Sequence, residues 1–246
     1  MVTDLKIVAK TDKGKIRESN QDAYAVGELP GEVAWAVVCD GMGGHAGGNI
    51  ASALAVKVIS DKITSCYNAK MRDSSIKNLL DSAITAANIE VYDMADSHNE
   101  LYGMGTTVVC AIVRGDRVFI AHAGDSRAYI ATQDSVKQIT VDHSVVQDLV
   151  NSGKITEDEA EHHPNKNLIT RAVGIDKAID IDFAEADLFD NETLILCTDG
   201  LSNYVSDTEL LEDIKDGQYY AFADRLVKRA NHNGGGDNIT VVAIAN

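Results

Sequence analysis

Apolar residues recur every three or four positions at Ile50, Ala51, Leu54, Ala55, Val58, Ile59 and Ile63, and again at Ile76, Leu79, Leu80, Ala83, Ile84, Ala87, Val91 and Met94. That spacing puts each set on one stripe of a helix, so two long amphipathic helices are predicted. Around them lie short β-branched runs: Val33–Cys39, Thr106–Val113, Val118–Ala123, Ala128–Ala131, Thr193–Cys197 and Ile239–Ile244. Several are separated by Gly, Asp or Asn turn signals, and all read as strands. The three runs between Thr106 and Ala131 follow one another too closely for parallel pairing, which needs a crossover of about a dozen residues. They predict antiparallel hairpins.

Near the C-terminus, Ser206-Asp-Thr-Glu209 is a capping-box pattern ahead of Leu210, Leu211 and Ile214, and Phe222, Leu226 and Ala230 continue on helical spacing. Helices therefore come in two sequence-separated pairs with strands between. This is the pattern of an α+β layering, antiparallel sheets covered by helices. The stretch from Val141 to Arg171 differs: it is polar, dense in His and Glu, has a second capping-box pattern at Thr156-Glu-Asp-Glu159, and is broken at Pro164. It reads as a small helical excursion from the sheet. With only Pro30 and Pro164 in the chain and no Ser/Pro/Gly-rich linker, one domain over residues 1–246 is expected.

Composition narrows the function classes. The 246 residues are 45% hydrophobic, enough for a large core. Asp and Glu number 38 against 22 Lys and Arg, a net charge of -16, which repels nucleic-acid backbones and anionic membranes alike. Cys39, Cys66, Cys110 and Cys197 show no C-x-x-C spacing and are expected to be buried and reduced. The N-terminal MVTDLKIVAKTDKGK lacks the apolar core of a signal peptide, and no apolar run is long enough to span a bilayer. A cytoplasmic monomer is the expectation.

Two apolar strands end alike, Val37-Val38-Cys39-Asp40-Gly41 and Leu194-Ile195-Leu196-Cys197-Thr198-Asp199-Gly200. A single Asp-Gly is usually a tight turn. Here, however, Gly124-Asp125-Ser126-Arg127 follows another strand and Gly236-Asp237-Asn238 precedes the last one. Four glycine-flanked aspartates at strand ends suit hard divalent cations, which take oxygen ligands and in pairs stabilise a phosphoryl transition state. Glycine lets backbone approach closely and frees a carbonyl as ligand, which Gly41 can supply. Arg17, five residues before Asp22, has the planar fork that suits phosphate.

These motifs, in order Arg17-Glu-Ser-Asn-Gln-Asp22, Val38-Cys-Asp40-Gly41-Met-Gly-Gly-His45, Gly105-Thr-Thr107, Gly124-Asp-Ser-Arg127, Asp142-His143, Thr198-Asp199-Gly200 and Gly236-Asp237-Asn238, resemble those of bacterial metal-dependent PPM (type 2C) serine/threonine protein phosphatases. The resemblance spans nearly the whole chain. It implies an α+β fold of two packed, mainly antiparallel β-sheets flanked by pairs of helices, an αββα sandwich, with a flap subdomain at about residues 141–171. It also implies a signalling hydrolase holding two Mn²⁺ or Mg²⁺ ions, with a weaker third. By similarity Asp40 bridges both metals, Asp199 and Asp237 complete the shell of the first, and the Gly41 carbonyl binds the second. Asp125 with Asp199 corresponds to the third site. Arg17 would hold the substrate phosphate and Asp22 would orient metal-bound waters, one of which attacks without a phosphoenzyme. His45 is the candidate general acid. Animal relatives place their histidine directly after the Asp-Gly, where this chain has Met42. His143 matches the place where the flap opens. The remaining histidines, His98, His122, His162, His163 and His232, show no metal-ligand spacing and read as surface or core residues.

Partners implied by the resemblance are phosphoserine and phosphothreonine proteins and a membrane-anchored Ser/Thr kinase. Two alternatives share the motifs: a hydrolase of small phosphoesters, and an inactive regulatory module that binds metal. A calcium-binding acidic protein would show a contiguous D-x-[DN]-x-[DN]-G loop, and none occurs.

Overall fold

The computed structural model describes residues 5–246, apart from the side chains of residues 45 and 46. In chain order the elements are β1 (Lys6–Asp12), β2 (Asp22–Leu29), β3 (Val33–Met42), α1 (Gly44–Cys66), α2 (Asp73–Ser97), β4 (Gly105–Thr106), β5 (Val108–Arg114), β6 (Arg117–Ala123), β7 (Arg127–Ala131), β8 (Val136–Gln138), α3 (Val145–Asn151), α4 (Glu157–Glu161), β9 (Asp182–Asp187), β10 (Thr193–Cys197), α5 (Asp199–Ser202), α6 (Asp207–Lys215), α7 (Phe222–His232) and β11 (Ile239–Ala245).

One sheet has the order β1-β11-β10-β7-β8 and the other β2-β3-β5-β6-β9, with every pairing antiparallel. The two sheets pack face to face, and side-chain alternation decides what each strand residue meets. On β3, Ala34, Ala36 and Val38 enter the seam between the sheets with Val109, Ala111, Leu194, Leu196, Val242 and Ile244. The intervening Val33, Trp35, Val37 and Cys39 face the other way, against Ile59, Ile63, Leu80 and Ile84 of α1 and α2. On the second sheet, Ile195, Cys197, Val241 and Ala243 lie under Leu210 of α6 and Phe222, Leu226 and Ala230 of α7. The expected αββα layering is present. A strand buried on both faces has no polar face, and so reads as an unbroken apolar run.

Helix starts follow local chemistry. Ser206 and Thr156 form the two predicted capping boxes with Glu209 and Glu159. Two expectations need correction. The run Thr106–Val113 is two strands rather than one, because Thr107 turns aside: its amide donates to the Asp40 carbonyl (2.9 Å) and its hydroxyl accepts the Asp40 amide (2.9 Å). Cys66 is exposed, unlike the buried Cys39, Cys110 and Cys197: it is the last residue of α1, past the turn whose Ile63 is still buried. Among the described residues no helix is long and apolar enough to cross a membrane.

Candidate active site

The seam between the sheets opens at the strand ends where the glycine-flanked aspartates lie. Asp40 shares its side-chain parity with Ala34, Ala36 and Val38, so its carboxylate emerges where the apolar seam stops. Asp22 is its cross-strand partner in register. From the opposite sheet, Thr198 and Thr240 donate their hydroxyls to Asp22 Oδ2 at 2.9 and 2.7 Å, fixing that carboxylate across the seam. Asp199 opens α5 directly after β10, and Asp237 precedes β11.

Asp40, Gly41, Asp125, Asp199 and Asp237 all line one cleft of about 780 Å³, with Arg17 and Met42 at its walls. Asp22 stands behind this lining, where it braces the seam. Asn167 and Ile169, from the segment after α4, line another side of the cleft. Gly41 cannot be replaced by a larger residue, since a Cβ there would stand 2.0 Å from the Gly48 carbonyl oxygen. That contact holds the start of α1 against the strand end. Arg17 lies half-exposed at the mouth, its Nη2 2.7 Å from Asp237 Oδ2.

The cleft carries more negative charge than its surroundings neutralise. Burial, reinforced by mutual repulsion, pushes Asp22 and Asp125 up to about 7. The same causes push Asp40 well above the usual carboxylate range. Burial and Asp237 raise Asp199, opposed by a hydrogen bond with Asp40. Asp22 Oδ1 and Asp199 Oδ1 are buried without any hydrogen-bond partner. A buried, unpartnered carboxylate oxygen is costly unless a cation meets it. The donor set is all oxygen, the preference of Mg²⁺ and Mn²⁺, so the residues present fit the divalent ions expected from the sequence.

A second polar cluster lies at the same end of the sheet. His122, at the end of β6, pairs in register with Asp182 of β9. Potential donor atoms of His122, His143 and Asp182 lie within 4.8 Å of one another. His122, expected at the surface or in the core, is buried at 3% exposure. Two histidines and a carboxylate would suit an imidazole-preferring metal, but the rings are stacked at 13° and 4.7 Å, so their in-plane lone pairs lie in separate, nearly parallel planes. Arg171 Nη1 also stands 2.7 Å from Asp182 Oδ1 and 3.2 Å from His143 Nε2. A guanidinium already holds the position a cation would take.

Of the residues expected from sequence, Arg17, Asp40, Gly41, Asp125, Asp199 and Asp237 come together in the cleft, and Asp22 lies beside it. The side chain of His45 lies outside the described residues. Four further residues support the site. Thr198 and Thr240 clamp Asp22, Thr107 braces Asp40, and Asn238 accepts the Gln21 amide (2.7 Å) while donating to the Lys13 and Ser19 carbonyls. Thr107, Thr198 and Asn238 sit inside the motifs, which carry no role for them; Thr240 looks like any strand threonine.

Carboxylates gathered from several strand ends, with an arginine at the mouth, define a class of protein that holds hard cations against an anionic ligand. Residues 15–239 match the family described as Protein phosphatase 2C. The chain is 38% identical over 236 residues to the serine/threonine phosphatase stp of Listeria innocua, covering 96% of this chain and 93% of that one. A serine/threonine phosphatase structure from S. agalactiae superposes with a TM-score of 0.92 at 33% identity, covering 98% of this chain and 99% of that chain. The catalytic domain of the serine threonine protein phosphatase PstP, in complex with 2 manganese ions, superposes with a TM-score of 0.85 at 32% identity, covering 98% and 99%. The chain belongs to the protein phosphatase 2C family.

Proposed function

We propose that this protein removes phosphate from phosphoserine and phosphothreonine in other proteins, with two Mn²⁺ or Mg²⁺ ions held by Asp40, the Gly41 carbonyl, Asp199 and Asp237, and a weaker third at Asp125 and Asp199. The observation that carries this reading is the convergence of four aspartates on one cleft, with Asp199 Oδ1 buried and unpartnered. Bound there, the ions supply Lewis acidity and a water whose pKa is lowered toward neutrality.

The chain's own residues do the rest. Arg17 is placed to leave Asp237 and donate two parallel hydrogen bonds to the phosphoryl oxygens, orienting the ester for in-line attack. Asp22, clamped through one oxygen by Thr198 and Thr240, keeps the other free to accept from water. Asn167 and Ile169 wall the cleft from residues 141–171, which supports reading that segment as a flap within one catalytic domain. His45 is the proposed proton donor to the leaving alkoxide. Phosphoserine and phosphothreonine are made by Ser/Thr kinases, so a kinase of that class is the reaction's counterpart.

The test is phosphate release from a phosphothreonine peptide and from para-nitrophenyl phosphate, with Mn²⁺, with Mg²⁺ and with EDTA. Metal-dependent release from the peptide is expected. Release from the small ester alone would replace protein phosphatase by small-ester hydrolase, and no release from either with metal present would refute hydrolysis.

A further inference from the structure

The Asp142-His143 motif has no part in the cleft lining, yet His143 is buried, only 6% exposed, and every polar atom of its backbone and ring has a partner. Its amide donates to the Gly124 carbonyl (3.0 Å), and its Nδ1 accepts the Gly124 amide (3.1 Å). Its carbonyl accepts the Thr170 amide (2.8 Å), on the returning arm of the flap. Its Nε2 lies 3.3 Å from Asp182 Oδ2, and its ring stacks on His122.

We infer that His143 is a positioning residue that sets the Asp125 arm of the cleft and ties it to the flap through Gly124. The inference rests on the reading of Asp125 as part of the metal site. Gly124 has φ +110°, and a Cβ there would stand 2.7 Å from Thr107 Cβ, so the loop bearing Asp125 packs flat on Thr107. Thr107 bonds both the Asp40 amide and the Ser126 hydroxyl (2.7 Å). The loop is thus braced from one side by the residue that holds Asp40 and from the other by His143. An amide donor facing Nδ1 requires a lone pair there, so in the neutral ring the proton sits on Nε2 and faces Asp182 Oδ2, while Arg171 Nη1, 3.2 Å from Nε2, is spent on Asp182 Oδ1. The ring's hydrogen bonding therefore has a direction, from Gly124 through the imidazole to Asp182.

Two substitutions separate this role from packing. His143→Asn sets an amide oxygen near the place of Nδ1 and keeps an acceptor for Gly124. His143→Gln reaches the place of Nε2, keeps a donor for Asp182, and loses that acceptor. Exchange of the Gly124 amide in metal-free protein should be about tenfold faster in the Gln variant than in the Asn variant. Calorimetric Mn²⁺ affinity at the weakest site should fall in the same order, with the KM for para-nitrophenyl phosphate little changed. Equal exchange and equal Mn²⁺ titration in the two variants would overturn the inference. So would histidine ¹⁵N shifts in the unsubstituted protein that place the His143 proton on Nδ1. If no phosphoester is hydrolysed, the function reading fails while Gly124 exchange and the ¹⁵N shifts still decide this one.

Discussion

At one end of the sandwich stand two polar clusters built from the same material, carboxylates at strand ends, and they are balanced in opposite ways. Around Asp182, Arg171 supplies a cation at 2.7 Å and His143 a ring N–H at 3.3 Å. There Asp182 is held below the usual carboxylate range, burial opposing and the Arg171 hydrogen bond outweighing it. Around Asp40 and Asp199, Arg17 at the mouth is committed to Asp237, and the carboxyls are pushed up instead. The first cluster carries its own counter-charge and serves structure. The second has more carboxylates than Arg17 and Arg127 can offset, and that deficit is what makes it a candidate for exogenous cations.

The comparison breaks most visibly in activity. Asp40→Ala or Asp199→Ala should lower phosphate release by at least about a thousandfold, while the melting temperature in EDTA does not fall, because removing one carboxylate relieves repulsion. Retained turnover in either variant would dismiss the site. Arg17→Ala should cost about a hundredfold in kcat/KM by loss of phosphate orientation. A steady-state comparison at fixed Mn²⁺ reads this directly, and an unchanged kcat/KM would remove Arg17 from substrate binding.

Acidity separates the clusters next. Asp22 and Asp125, raised from 3.8 to about 7 in the fold, bind protons more tightly folded than unfolded. Their contribution to stability is therefore full below about 3.8 and is lost as pH rises through about 7. Metal-free protein should melt at progressively lower temperature from pH 5 toward pH 8, and Mn²⁺ should flatten that slope. A slope indifferent to Mn²⁺ would contradict the charge deficit. The smallest effect belongs to the balanced cluster: Arg171→Gln, at a position 37% exposed, should cost less than about 1 kcal/mol and leave Mn²⁺ stoichiometry unchanged. A changed stoichiometry would mean that the two clusters are not separate.

What was legible in the sequence follows from burial. The strands read correctly, such as β3, β6, β10 and β11, are central ones covered on both faces, with nothing but apolar residues to show. Those unread, β1, β2, β8 and β9, are the four sheet edges. Sequences such as Lys6–Asp12 and Asp182–Asp187 are mixed with charge because an edge faces solvent and is protected by it. The cleft aspartates were visible because glycine flanks mark them. The clamp that Thr198 and Thr240 form was not, since it depends on two sheets meeting across the seam. The clustering of His122 with Asp182 likewise comes from strand register, sixty residues apart in sequence and adjacent in the sheet.

The central claim is that the uncompensated carboxylates are a divalent-cation site, and it is tested most directly by calorimetric titration of Mn²⁺ into EDTA-stripped protein, with Asp40→Ala alongside. At least two ions should bind the unsubstituted chain, with the tight component lost in the variant; no binding, or identical titrations of the two proteins, would contradict it.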